Sequence, residues 1–514
     1  MIPRDAKGRT RGKVLGWYSF AALLLLCLLL IPAGASGQTP IPRDFEPLRD
    51  YIEDLMREFE IPSVAVALAH RGEVLWEEGF GWADRERWMR ATEHTPFSIA
   101  SVTKPITATA VMLLAKQRRL ELGSPANRYL AGSEIRAIGG GPSDVTVEHL
   151  LAHTGGLPLH HHFFYDGDAS EPPPMHETIA RYGVQITRPG EAYTYANLGY
   201  GLLDHMIETI SGLSYGDFLA SEIFGPLGMH GSFVGTDAAS TSEAAVRYGD
   251  DGEPLPFYDF DHRGASAVYA SASDLLRFGL FHLDGEVVTG GPLLPDGTRK
   301  KMRRRHTPDD GSGYGLGWSI REDDYGYLRV EHTGGMPGVS TVLRLYPEEE
   351  VVVVVLSNSA NPATGRIADA ITGAVLPRFI ERMREAAGAR NPPATLHPRS
   401  PAPIVGSWKG EIETWERPVP IRLEVAPEGE VFVRISEHDE VPVSGIQFRN
   451  GVLTGQFPGV IPTPDALTRP HLVHLHLQEQ DEELVGFASA LGWGEGRSHF
   501  ALSSPVLLVR SPDQ

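Results

Sequence analysis

Cysteine is almost absent from this 514-residue chain. The one present, Cys27, lies in an N-terminal apolar run, so no intramolecular disulfide can form. Lysine is scarce too, with seven in the chain, so a lysine in apolar surroundings needs a reason. Positive charge is short overall: 46 Lys and Arg against 66 Asp and Glu leave a formal net charge of −20. That argues against a nucleic-acid partner, because phosphate binding needs clustered cations. The acidity reads instead as an aid to solubility. No internal repeat of the solenoid kind is present. A hydrophobic fraction of 41% over this length can build a large core, with room for two domains.

What is there begins with an export signal. Arg4, Lys7, Arg9, Arg11 and Lys13 precede an apolar stretch from Val14 to Ile31, and Pro32 to Ala35 supply a break and an A-x-A-like cleavage site. Residues 1–35 are therefore expected to be a signal peptide or an N-terminal membrane anchor. The run is about long enough to span a bilayer, which takes roughly 17–25 residues. Either outcome exports the rest of the chain to a periplasmic or extracellular location, with membrane association through residues 14–31 if the segment is retained.

Hydrophobic periodicity then sets the organisation. Leu48 to Phe59 reads as a helix, and Ser63 to Ala69 with Val74 to Phe80 as a strand pair. Gly326 to Glu331, Thr341 to Tyr346 and Val351 to Ser357 read as three more strands, followed by a helix from Gly365 to Ala387. The uniformly β-branched Val351–Val355 suits a strand buried on both faces. The middle, about 97–290, is mainly helical. The expectation is an α/β (α+β) domain over 45–387, an antiparallel sheet with helices on both sides and a mostly helical inserted region. Residues 388–403 carry five prolines and form the linker. Short strand-like runs over 404–512 then predict a small all-β barrel-like domain. In it, Gly406-Ser407-Trp408 resembles the opening of small β-barrels, with Trp408 as an end plug.

The chemistry concentrates in three segments. In Phe97-Ser98-Ile99-Ala100-Ser101-Val102-Thr103-Lys104, Ser101 and Lys104 are three apart. On a helix they share a face with Cβ atoms about 5–6 Å apart. A serine hydroxyl needs an adjacent base, and a lysine in apolar surroundings loses its proton more readily. This is the chain's one Ser-x-x-Lys. In Pro189-Gly190-Glu191-Ala192-Tyr193-Thr194-Tyr195-Ala196-Asn197, Tyr195 and Asn197 straddle one residue and point the same way in extended backbone. A phenol beside a protonated lysine can ionise and act as a base, and an amide can orient a substrate or the lysine. In His332-Thr333-Gly334-Gly335, glycines after a strand permit close ligand approach.

Ser-x-x-Lys, Tyr-x-Asn and His-Thr-Gly in this order resemble the penicillin-recognising serine hydrolases, in the branch of class C β-lactamases and D-alanyl-D-alanine carboxypeptidases. Leu150-Leu151-Ala152-His153-Thr154-Gly155-Gly156, Tyr314-Gly315-Leu316-Gly317-Trp318 and Val353 to Asn358 add to the likeness, which covers about 45–385. The resemblance implies a serine hydrolase that forms an acyl-enzyme on Ser101, with Lys104 and Tyr195 moving protons. It makes Asn197, His332, Thr333, Gly334 and Gly335 the substrate-binding residues. It also implies an oxyanion hole from the Ser101 N–H and a second N–H at Met336 or within Val339–Thr341. No metal or other cofactor is expected. The family's lysine in Lys-Thr-Gly is His332 here, which removes a fixed charge. That favours esters and D-amino-acid peptides as substrates over β-lactams.

His160-His161-His162 with Asp166 and Asp168 fits no zinc pattern and reads as a surface loop near the cleft rim. His471, His474 and His476 read as a solvated strand face. Two non-enzymatic readings compete with the hydrolase: an inactive sensor that binds cell-wall fragments, and a membrane-tethered scaffold or polymer-forming protein.

Overall fold

The computed structural model describes residues 45–283, 292–308, 313–323, 326–376, 378–379, 404–449, 451–480, 482–494 and 496–511. The expected export segment, the whole Pro-rich linker and the end of the expected helix Gly365–Ala387 lie outside these residues. Among the described residues no helix is long and apolar enough to cross a membrane.

Seven antiparallel strands form the central sheet, in the order Ser319–Glu322, Leu328–Met336, Val339–Tyr346, Val351–Ser357, Ser63–His70, Glu73–Asp84 and Met89–Arg90. The first and last strands of this sheet in chain order thus meet at its middle, where Ser63–His70 pairs with Val351–Ser357. Every residue of Val351–Ser357 is buried, as its β-branched composition predicts. Successive strand residues point to opposite faces. Arg344 on one face holds Asp369 of the helix Ala363–Val375 at 2.7 Å. Its neighbour Leu345 and Val352 face Gly279 of the helix Ala272–Leu283 on the other. Helices therefore cover both sides, and the intervening region is mostly helical.

The tail forms a nearly closed antiparallel barrel from nine strands. Three of them, Gly406–Glu413, Val441–Pro442 and Val452–Pro458, go beyond the six strand-like runs of the sequence. Each contains glycine or proline, which masks alternation. Trp408 is buried at the barrel's start and donates from Nε1 to the Ile404 carbonyl at 2.8 Å.

One expectation is overturned. The histidine run is not a surface loop: His161–Tyr165 is a strand, and His160 and His162 are buried. Its apolar Phe163, Phe164 and Tyr165 pair with Tyr258–Phe260. Its first two residues pair with Phe500 and Ala501 of the last barrel strand. This strand stitches the barrel to the catalytic part, so its backbone groups are satisfied by partners far off in sequence. The three barrel histidines His471, His474 and His476, in the strand His471–Gln480, are each half-buried, and His476 stacks on Phe487 at 4.8 Å.

Candidate active site

Ser101 sits in a 3-10 turn, Ala100–Val102, that runs directly into the helix Thr103–Lys116. The turn begins with Ala100 in the left-handed region at φ 47, a conformation that costs a non-glycine residue of order 1–3 kcal/mol and tends to cluster at functional sites. The turn carries Ser101 over Lys104, whose Nζ lies 3.1 Å from Oγ. The helix is buried along Thr103 to Leu114, and Lys104 is fully buried within it.

Lys104 Nζ is also 2.9 Å from Asn197 Oδ1 and 3.1 Å from the Ala265 carbonyl. A neutral amine has two N–H donors. These two oxygens take both of them and leave the lone pair aimed at the Ser101 hydroxyl. Burial holds Lys104 well below its ordinary pKa, and no carboxylate opposes that. The rings of Tyr195 and Tyr200 stand 4.8 and 5.5 Å from Nζ. Their faces favour a cation by roughly 0.5–2 kcal/mol, less than the several kcal/mol that desolvation costs an unpaired ion. The uncharged amine wins.

Tyr195 donates to Ser101 Oγ at 2.9 Å. Burial raises its phenol above the ordinary range, so it is a proton donor at neutral pH. Burial thus disfavours an ionised Tyr195 and favours the free amine of Lys104, so the arrangement can use Lys104 as the acceptor of the Ser101 proton. Asn197 opens the helix Asn197–Ser211 after the extended Ala196, which turns its amide under Lys104 and into the cleft.

His153 holds this loop and was quoted above without a role. Its Nδ1 accepts from the Ala196 N–H at 3.1 Å, and its carbonyl accepts from Thr194 N–H at 2.8 Å. Its ring packs 4.3 Å from Tyr195 and 4.8 Å from Tyr314. The signal was the Leu-Leu-Ala-His-Thr-Gly-Gly run itself.

His332-Thr333-Gly334-Gly335 lies within the strand Leu328–Met336 rather than after a strand. His332 is buried. Its Nδ1 donates to the Thr333 carbonyl at 2.8 Å, which leaves Nε2 to accept from Tyr314 hydroxyl at 2.9 Å. Burial and the nearby Lys104 lower its pKa to about 3, so this position carries no charge at neutral pH and both nitrogens are occupied. Thr333 is exposed. Gly334 packs its Cα against the Ile99 carbonyl and Ala100, which brings the strand edge onto the serine turn. Gly335 and Met336 line the cleft, as do Val339 and Ser340.

The family profile described as Beta-lactamase matches residues 48–376. The chain belongs to the β-lactamase family. That places it among the serine β-lactamase-related hydrolases, as its three motifs suggested. Penicillin-binding protein 4 of Amycolatopsis lactamdurans is 28% identical over 396 residues, covering 72% of this chain and 99% of that protein. The octameric penicillin-binding protein homologue from Pyrococcus abyssi superposes with a TM-score of 0.57 at 22% identity, covering 89% of this chain and all of that one. A class C beta-lactamase superposes with a TM-score of 0.53 at 20% identity over 65% of this chain and 95% of its own. A Gly-x-Ser-x-Gly pattern at Gly212–Gly216, the signature of a different hydrolase fold, is structural here: Ser214 caps the helix Tyr215–Leu219 and donates to Asp217.

Ser101 of this β-lactamase-family domain opens into a cavity of about 880 Å³. Asn197 and Gly335 line it with Ser101, whereas Lys104, Tyr195 and His332 stand behind the wall. The barrel supplies part of the rim through Trp493, Gly496, Arg497 and Ser498, across from Asp250 and Asp251. Gly334→Ala is expected to push its Cβ into Ile99 and Thr341 and to destabilise the fold by about 1–3 kcal/mol. Acylation by an ester should slow with it, because the strand edge moves off Ser101. Thermal unfolding and a stopped-flow ester assay check the two effects.

Proposed function

We propose that this protein is an exported serine hydrolase that cleaves an ester or amide through an acyl-enzyme on Ser101. The observation that carries the reading is the Ser101–Lys104–Tyr195 triangle with its fully buried amine.

The chemistry follows from the geometry. Ser101 Oγ attacks the substrate carbonyl carbon while its proton passes to the Lys104 lone pair. The negative charge that builds on the carbonyl oxygen meets the Ser101 N–H and a backbone N–H of the strand edge at Gly335–Met336. The Tyr195 hydroxyl gives its proton to the departing alcohol or amine and recovers one from Lys104. Water then releases the acyl group.

Substrate choice follows from the cleft. With His332 neutral and sealed by Tyr314, the wall behind the strand offers no fixed cation to a β-lactam or peptide carboxylate. Small esters, which bring no carboxylate, are therefore the favoured substrates; D-amino-acid peptides held by contacts other than a free carboxylate come next, and β-lactams are the least. Trp493 and Arg497 of the barrel add a large apolar and a charged side chain to the cavity lining.

A fluorophosphonate probe tests the reading. It should label the wild type on Ser101, as located by peptide mass, and leave Ser101→Ala unlabelled. Ester turnover in that variant should fall by roughly 10⁴–10⁶-fold. An unlabelled wild type with no turnover of p-nitrophenyl esters, D-Ala peptides or nitrocefin would favour a non-catalytic, cell-wall-fragment-binding role.

A further inference from the structure

Outside the Ser101–Lys104–Tyr195 triangle, a buried carboxylate is held between two imidazoles. Asp261 Oδ2 lies 2.7 Å from His160 Nε2, and Oδ1 lies 2.6 Å from His262 Nδ1. Thr178 Oγ1 donates weakly to Oδ2 at 3.5 Å. All three side chains of the His160–Asp261–His262 cluster are at most 2% exposed. Donor atoms this close are a hydrogen-bonded chain, shorter than the spacing that separate ligands keep around one metal ion.

The carboxylate fixes both tautomers. It accepts from His160 Nε2–H, which leaves His160 Nδ1 buried without a partner. It accepts from His262 Nδ1–H, which leaves His262 Nε2 as a bare acceptor. His262 lines the same cavity as Ser101 and Asn197, and its Nε2 has no hydrogen-bond partner among the described residues. Asp261 thereby does for His262 what the aspartate of a Ser-His-Asp triad does: it orients the ring and stabilises an imidazolium that forms on it.

The acyl-enzyme needs such a group. Lys104 lies behind the cavity wall with its lone pair turned to Ser101 Oγ rather than to the cavity, and Tyr195 is a buried, protonated phenol; neither lines the cavity where water enters. His262 does face the cavity. Around it stand Asp261, His160, His161, His162 and, more distantly, Lys104. Burial outweighs Asp261 and keeps the imidazole below its ordinary pKa, so it is unprotonated at neutral pH.

We propose that His262, held by Asp261, is the general base that activates the hydrolytic water. The water oxygen bonds to the acyl carbon as one of its protons moves to His262 Nε2. The C–Oγ bond to Ser101 then breaks, and that proton returns to Oγ. The imidazole ends neutral, and the second water proton leaves with the carboxylic acid.

This rests on the acyl-enzyme reading above, and the test separates the two. In full-length protein with p-nitrophenyl acetate, His262→Gln should keep the pre-steady-state release of p-nitrophenol within about threefold of wild type and lower steady-state turnover about 100-fold. The acetylated Ser101 peptide should accumulate. Hydroxylamine, a nucleophile that needs no base, should discharge that adduct as fast as it does in wild type. Asp261→Asn should show the same split to a smaller degree. Parallel loss of both phases, unchanged turnover, an adduct resistant to hydroxylamine, or failure of both variants to take a fluorophosphonate label overturns the proposal. A wild type that yields no Ser101 adduct under acid quench or fluorophosphonate overturns the acyl-enzyme reading instead.

Discussion

Lys104→Arg is expected to lower the acylation rate by about 10³–10⁴-fold, as much as Lys104→Met does. A residue needed only for its positive charge would tolerate arginine. A residue needed for a lone pair would not, because a guanidinium stays protonated at any accessible pH. The surroundings sharpen the contrast. Lys104 Nζ meets two carbonyl-type oxygens and a hydroxyl, and no carboxylate. Arginine would place an unpaired cation at a fully buried site, at a cost of several kcal/mol, whereas methionine fills similar volume without charge. Arginine should therefore be the less stable of the two variants and no more active. Stopped-flow ester acylation and thermal unfolding of both variants supply the comparison. An arginine variant with a tenth or more of wild-type acylation would remove the neutral amine from the mechanism.

Glu331→Leu is expected to destabilise the fold by about 3–5 kcal/mol, the usual effect of stripping one partner from a buried ion cluster. Glu331 is the residue before His332, on the strand that lies against the serine turn. Its carboxylate meets Arg329 at 3.1 Å and Arg344 at 2.9 Å, both nearly buried, and the more exposed Arg321 at 3.1 Å. Burial would lower Arg344, yet Glu331, Tyr346 and Asp369 hold it above its ordinary value. Without Glu331, Arg344 keeps Asp369, and Arg329 loses the carboxylate beside it. Glu331→Gln should cost less, since it retains an acceptor of the same shape. Thermal unfolding at neutral pH reads the effect. A loss under about 1 kcal/mol would mean that the cluster relaxes into solvent.

The nucleophilic centre was legible because it is local. Ser101 and Lys104 are one turn apart, and the apolar residues that follow announce that the amine is enclosed. Tyr195 and Asn197 were legible as a pair, although the sequence could not say that Tyr195 stays protonated, since that depends on burial by elements far away. The His-Thr-Gly segment was placed beside the site, but after the strand when it lies within it. Gly334 is glycine because Ile99, Ala100 and Thr341 leave no room for a side chain, whereas Gly335 has open space beside it. Least legible were features made by long-range pairing. His161–Tyr165 is a strand because Tyr258–Phe260 and Phe500–Ala501 complete it, and three adjacent histidines gave no hint of that. Trp493 and Arg497 reach the cleft only because the barrel docks there, and His262 gains its orientation from its own neighbour Asp261 and from His160, a hundred residues earlier. Each of these depends on tertiary contacts that no local pattern encodes.

The central claim is that the amine beside Ser101 carries no proton at neutral pH. Seven lysines are few enough for an NMR titration of protein labelled with ε-¹³C lysine, with Lys104→Met to assign the resonance. The account predicts one lysine signal whose shift changes at a pH well below the rest and is missing from the variant. A Lys104 signal that titrates together with the surface lysines would contradict it.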